Sequence, residues 1–150
     1  MATLTFKSEV QWEGEGVLST AYIGDKQVQI DEPKSLGGFD QAPNPVEYLL
    51  AGLGGCINVL VVTYAKQFDV EINDVKVNVE GDLDPDGFLG KNPNVRPGYE
   101  EIRYEIVIDS SSDEAKVQAL LDHVQKVCPV KDTLQGTRVV NVNERTNQHS

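Results

Sequence analysis

Asn44-Pro45-Val46-Glu47-Tyr48-Leu49-Leu50-Ala51-Gly52-Leu53-Gly54-Gly55-Cys56-Ile57-Asn58-Val59-Leu60-Val61-Val62-Thr63-Tyr64 is the stretch on which the fold turns. Asn44 can cap free backbone amides, and Pro45 suits the first helical position, so a helix is expected to begin here and run to about Phe68. From Val46 to Tyr64 its one charge is Glu47. That length and composition would suit a bilayer span. However, Gly52, Gly54, Gly55, Asn58 and Thr63 interrupt the run, and soluble strand patterns flank it. A helix apolar on every side is therefore read as the centre of a protein core, with no membrane involved. The remaining elements need something to pack on, and this helix supplies it.

Cys56 lies in the middle of this helix. Taken alone, it reads as a small buried hydrophobe. The glycines around it alter the weighing, because each costs about 1 kcal/mol relative to Ala in a helix interior. They permit close approach of another backbone or of a ligand beside Cys56, and both alternatives stand.

Toward the N-terminus, Leu4, Phe6, Val10 and Trp12 share one face of an alternating pattern, against Thr3, Thr5, Lys7, Glu9 and Gln11. That is a half-buried strand. Glu13 to Gly16 reads as a turn, Val17 to Ile23 as a strand, and Gly24-Asp25-Lys26 as a hairpin turn before Val28 and Ile30. A three-stranded antiparallel meander is expected, followed by a loop from Asp31 to Pro43. Toward the C-terminus, Val75, Val77 and Val79 mark a strand within Val70 to Asp82, and a Pro- and Gly-rich loop reaches Gly98. Ile102, Tyr104, Ile106 and Ile108 mark another strand. Ser111 and Glu114 offer a capping box. Val117, Leu120, Leu121, Val124 and Cys128 follow helical spacing until Pro129. One more turn, Val130 to Leu134, and a closing strand, Val139 to Val142, complete a single α+β domain over residues 1–150 with mostly antiparallel pairing.

The formal net charge of −11 repels phosphate backbones and anionic lipid surfaces, which argues against nucleic-acid and membrane partners. The first residues, Met1 to Lys7, lack a basic segment followed by an apolar run, so a cytoplasmic location is expected. In a reducing compartment two cysteines are more often free or catalytic than a permanent staple. Cys56, Cys128, His123 and His149 show no zinc spacing, and no metal is expected. Cys128 ends one helix and stands where it can cap the next, Pro129-Val130-Lys131-Asp132. A helix N-terminus lowers a thiol pKa. The competing reading is a core residue on the face of Val117, Leu121 and Val124. The two cysteines lie 72 residues apart, so only the fold can bring them together.

Asp31-Glu32-Pro33, Leu36-Gly37-Gly38, Pro43-Asn44-Pro45-Val46-Glu47-Tyr48-Leu49-Leu50 and Gly55-Cys56, followed by Cys128-Pro129-Val130, resemble in order the OsmC/organic-hydroperoxide-resistance family. The likeness runs roughly from Trp12 to Val142, and the paired cysteine motifs on two helices are its distinctive part. The resemblance implies an OsmC-like fold, with antiparallel sheets wrapped around long buried helices in an intertwined homodimer whose active sites lie at the subunit interface. It implies thiol-dependent reduction of organic hydroperoxides to alcohols, without a cofactor. Cys56 would attack the peroxide and become a sulfenic acid, and Cys128 would resolve it as a Cys56–Cys128 disulfide. A dithiol reductant, with lipoyl-type dithiols among the candidates, would reset the pair.

Hydroperoxide reductases of that family carry an arginine in the N-terminal strands and a glutamate directly after Asn-Pro. Here no arginine precedes Arg96, Val46 follows Pro45, and Glu47 comes one place later, so the chain looks more like the OsmC-like branch. Glu47 and Cys56 are separated by about 900° of ideal helix and face opposite sides. As a supporting residue, Glu47 would reach a cysteine only across a dimer. Its other reading is a first-turn carboxylate facing the helix dipole. Lys26, Lys34 and Arg96 are the candidates for the missing cation. The rival to the enzyme is an OsmC-like protein with inert thiols that binds a small apolar ligand in the dimer groove.

Overall fold

Two alternating sequence patterns build two separate antiparallel sheets. The computed structural model describes residues 2–143. The chain falls into two units, Met1–Ala51 and Gly52–Ser150, with the boundary inside one helix.

In the first unit, β1 (Glu9–Trp12), β2 (Ser19–Ile23) and β3 (Lys26–Ile30) form the expected meander in the order β1-β2-β3. The first strand is shorter than its alternation suggested. Glu9 pairs with Tyr22 and Ile23 already pairs with Lys26 across the hairpin, so β2 has little left to offer the chain before Glu9. Leu4 and Phe6 are exposed and lie outside any strand. Beyond β3 the loop is organised by Asp31, whose Oδ2 accepts hydrogen bonds from the Phe39 and Gln41 amides, each at 3.1 Å. Its own amide donates to the Pro43 carbonyl. A Cβ at Gly38 would fall 1.8 Å from the Glu32 carbonyl oxygen, so the return of this loop demands glycine.

Helix α1 (Pro45–Tyr64) begins as the sequence indicated. The Glu47 amide donates to Asn44 Oδ1 and the Asn44 amide donates to Glu47 Oε1, both at 2.9 Å, a reciprocal capping box. The helix ends four residues before the expected Phe68, in a turn that closes at Asp69 with φ +56°.

The second unit pairs β4 (Asp74–Asp82) with β5 (Glu101–Asp109) along their full lengths. Val75, Val77, Val79, Ile102, Tyr104, Ile106 and Ile108 pack against a core of Leu53, Ile57 and Val61 from α1, and Leu120 and Val124 from α3 (Glu114–Val127). Leu53, Ile57 and Val61 recur every fourth residue, with Ala65 next in step just past the helix end, which makes one stripe of α1 the buried one. Gly54 beside that stripe sits close to β4, since a Cβ there would meet Val79 Cγ2 at 3.0 Å.

The expectation that α1 is buried on every side is corrected within the single chain. Val59 and Val62 are 61% and 58% exposed, and a Cβ at Gly52 or Gly55 would meet nothing within 4 Å. One ribbon and one helix cannot reach around a cylinder about 10–12 Å wide.

Three further local expectations change. The α3 N-cap is Asp113 rather than Ser111, because the neighbouring serines are drawn to the backbone of Glu71. There the Glu71 amide donates to Ser112 Oγ at 2.8 Å, and Ser110 Oγ donates to the Glu71 carbonyl. The 83–100 loop contains a single-turn helix, α2 (Pro85–Phe88), capped by Asp84. After α4 (Pro129–Leu134) no strand forms at Val139–Val142, where both end valines are exposed. A period-two pattern names a face, but β4 and β5 already pair with each other. His149 lies outside the described residues.

Candidate dithiol site

Cys56 precedes the fully buried Ile57 on α1, and so stands at the margin of the core, half-buried. Cys128 is 1% exposed. Pro129 supplies no amide hydrogen and restricts the residue before it to extended backbone, so α3 must stop at Cys128. The observed φ −67° and ψ 112° are that conformation. The freed side chain then caps α4, with the Lys131 amide donating to Cys128 Sγ at 3.4 Å. Cys128 both ends one helix and caps the next, as its position before Pro129 suggested. The core reading holds as well, since it packs with Leu120 and Val124.

The two sulfurs are 3.2 Å apart, and both thiols are free. Burial pushes the Cys56 thiol above its ordinary value. The Val130 amide acts in the opposite direction, and the neighbouring Cys128 raises it further. No side-chain cation contributes to that balance. Lys26 is paired with Asp25 at 3.0 Å, Lys34 sits in the exposed 3-10 turn Lys34–Leu36, and Arg96 is exposed on the 83–100 loop. Glu47 is engaged in the capping box with Asn44 at the start of α1.

Sequence reasoning missed two groups near the thiols and one ring contact elsewhere in the same unit. The Val130 amide faces Cys56. Tyr104 donates to Gln125 Oε1 at 2.6 Å, while Gln125 Nε2 donates to the Leu121 carbonyl at 3.0 Å. Burial raises the Tyr104 pKa, and the neighbouring Cys128 adds to it, so the phenol stays neutral. A tyrosine in register with three isoleucines of β5 was a usable signal, because a buried phenol needs a hydrogen-bond partner. His123 meets the Tyr64 ring edge-on with centroids 4.6 Å apart, and the Phe68 ring at 5.2 Å.

An accessible thiol in contact with a hidden one is suited to two-step oxidation. The outer sulfur meets an oxidant, and the inner one is within reach of the product.

Comparison with known proteins points to one family. A family model described as OsmC-like protein matches residues 38–143. The hydroperoxide reductase of Mycoplasma pneumoniae is 30% identical over 129 residues, covering 83% of each chain. That of Mycoplasma genitalium is 27% identical over 103 residues, 67% of each. Among solved structures, an OsmC like protein from Mycoplasma pneumoniae aligns with a TM-score of 0.77 at 25% identity, covering 91% of both chains. An organic hydroperoxide resistance protein OsmC from Legionella pneumophila aligns at 0.62 and 20% identity, over 91% of this chain and 93% of that one, a likeness of fold.

Proposed function

The chain belongs to the OsmC-like family, and on that premise we propose that it is a thiol peroxidase that reduces organic hydroperoxides to alcohols. The observation that carries this reading is the 3.2 Å contact between Cys56 and Cys128. A disulfide is about 2.05 Å long, so a small movement closes the bond. Cys56 is the attacking residue because it is the more accessible thiol. Its thiolate displaces an alkoxide from the peroxide oxygen, the O–O bond breaks, and the alkoxide takes a proton and leaves as the alcohol. Cys56 is then a sulfenic acid. Cys128 attacks that sulfur, water leaves, and a Cys56–Cys128 disulfide forms. An external dithiol reduces it and becomes a disulfide itself. The apolar residues around Cys56 favour an alkyl hydroperoxide over hydrogen peroxide.

A second copy of the chain fits the same reading. The exposed face of α1, with Gly52, Gly55, Val59 and Val62, is too apolar to stay in water, and a homodimer would cover it. Glu47 would support a thiol only across such a dimer. The cytoplasm supplies the reducing conditions the dithiol needs.

The test gives reduced protein one equivalent of cumene hydroperoxide and follows both thiols by mass spectrometry. Wild type is expected to form the intramolecular disulfide, and to consume cumene hydroperoxide faster than hydrogen peroxide when a dithiol is supplied. Cys56→Ser should consume none. Cys128→Ser should leave Cys56 as a sulfenic acid that dimedone traps. Two free thiols in treated wild type would refute the assignment. Because the Cys56 pKa is raised and the thiolate is the reacting form, the rate should climb about tenfold per pH unit below that pKa.

The raised Cys56 pKa without a cation favours one alternative, a ligand-binding protein with inert thiols. Slow alkylation of native Cys56, with no response to peroxide, would select it.

A further inference from the structure

Side chains tie helix α3 to the rest of its unit at both ends. Near its start, Lys116 Nζ pairs with Asp69 in the turn that follows α1. In its last turn, Gln125 Oε1 accepts the Tyr104 hydroxyl of β5 at 2.6 Å, while Gln125 Nε2 donates to the Leu121 carbonyl at 3.0 Å. The two ties differ in setting. The Lys116–Asp69 pair stands in water, where an ion pair contributes little. Tyr104 and Gln125 are half-buried, where water competes less for the bond. Tyr104 shares a face of β5 with Ile102, Ile106 and Ile108, and that face packs on the core to which Cys128 belongs. Its raised pKa keeps on the phenol the proton that Gln125 accepts. Position matters more than strength here. Gln125 lies three residues before Cys128, where α3 gives way to extended backbone. The last four carbonyls of a helix have no partner within it, so its final turn needs holding from outside. The Cys128 sulfur stands 3.2 Å from that of Cys56, and a misplacement of about 1 Å between reacting groups can cost about a hundredfold in rate.

We propose that Tyr104 and Gln125 are positioning residues for Cys128: their hydrogen bond pins the last turn of α3 to β5 and keeps the inner sulfur within reach of Cys56. The step they serve is the second one. There the S–S bond forms, the S–O bond of the Cys56 sulfenic acid breaks, and the Cys128 thiol proton leaves with the hydroxyl as water. The first step, attack of Cys56 on the peroxide, does not use them. This catalytic meaning rests on the peroxidase reading, but the proximity that the pair enforces is measurable without any peroxide.

The full-length protein is equilibrated with mixtures of reduced and oxidised dithiothreitol, and the fraction holding the Cys56–Cys128 disulfide is read by mass spectrometry. Tyr104→Phe keeps the ring and removes only the hydroxyl, and Gln125→Met keeps the length of the side chain without its acceptor. Each should lower the equilibrium constant for disulfide formation by about tenfold, the scale of one lost hydrogen bond. The double variant should lose no more than either single one, because both remove the same bond. Lys116→Gln, which unties the other end of α3, should leave the constant unchanged. A second arm gives each reduced protein one equivalent of cumene hydroperoxide with dimedone present. Tyr104→Phe should form its sulfenic acid as fast as wild type and yield more dimedone adduct and less disulfide. Circular dichroism confirms that each variant is folded. An unchanged constant in both single variants, additive losses in the double variant, or an equal loss in Lys116→Gln would overturn the assignment. A wild type that ignores the peroxide would sink the peroxidase reading alone, since the dithiothreitol arm still decides whether the pair positions Cys128.

Discussion

In the Gly52–Ser150 unit, Ile57, Val61, Leu120 and Val124 are wholly hidden from water, whereas among the described residues of the Met1–Ala51 unit the largest wholly hidden side chain is a carboxylate, Asp31. The second unit is held by apolar contact between two helices and a ribbon. The first is held by ladder hydrogen bonds and by amides gathered around one anion, while Leu4, Phe6, Val10 and Trp12 stay exposed. The unit that carries both thiols thus brings its own core. The unit without them leaves its apolar faces for something else to cover.

Leu120→Ala should break this contrast most severely. It empties the centre of the α1–α3 packing and is expected to cost about 2–5 kcal/mol in chemical denaturation. A cost as small as that of a surface change would mean that the second unit is not organised around this core.

Asp31→Asn should come next, as a local effect. Hydrogen exchange is expected to quicken across residues 31–43, with the α1 and α3 core unchanged. Acid should act in the same way. The Asp31 pKa is lowered by folding, so its stabilising contribution is present above the ordinary carboxylate pKa and lost as pH falls through the lower folded value. Simultaneous loss of protection in both units would show that they share one stabilising network.

Gly55→Ala sharpens the comparison from the exposed side of α1. Within one chain the added methyl meets nothing, and helix propensity alone should gain about 1 kcal/mol. If a second copy packs there, as proposed, sedimentation should instead show a weaker dimer. Unchanged self-association would place the dimer contact elsewhere. The smallest effect belongs to Val28→Ala on β3, whose side chain is 40% exposed, with a change within about 0.5 kcal/mol.

The parts legible in the sequence were those whose stabilising partner is local or strongly periodic. Val75, Val77 and Val79 against Ile106 and Ile108 announced β4 and β5. Leu120 and Val124 announced α3, and Asn44 with Pro45 announced the start of α1. The same periodic logic overreached at Leu4, Phe6, Val139 and Val142, because alternation shows which face is to be buried but not which strand supplies the edge. Ser111 failed as a cap because its neighbours Ser110 and Ser112 are held by Glu71, far away in sequence, and the helix begins only at Glu114. At the site, both cysteines were visible, and the Pro129 stop explained why Cys128 could cap α4. Their contact was expected only through the family resemblance, since nothing in either segment itself encodes a neighbour 72 residues distant. Asp31 read as loop punctuation and as part of a family motif but not as an organising anion, because the amides that gather around it come from Phe39 and Gln41, eight and ten residues on.

Cys128 accepts the Lys131 amide at the start of α4, which is the position where serine is among the preferred residues. The chain therefore carries its own built-in control. Exchanging sulfur for oxygen removes the redox chemistry but leaves an acceptor for the same amide, so a defect in Cys128→Ser can be assigned to lost thiol chemistry. Cys128→Ala removes both functions, and the difference between the two variants isolates what the cap alone contributes to the order of the chain beyond Pro129.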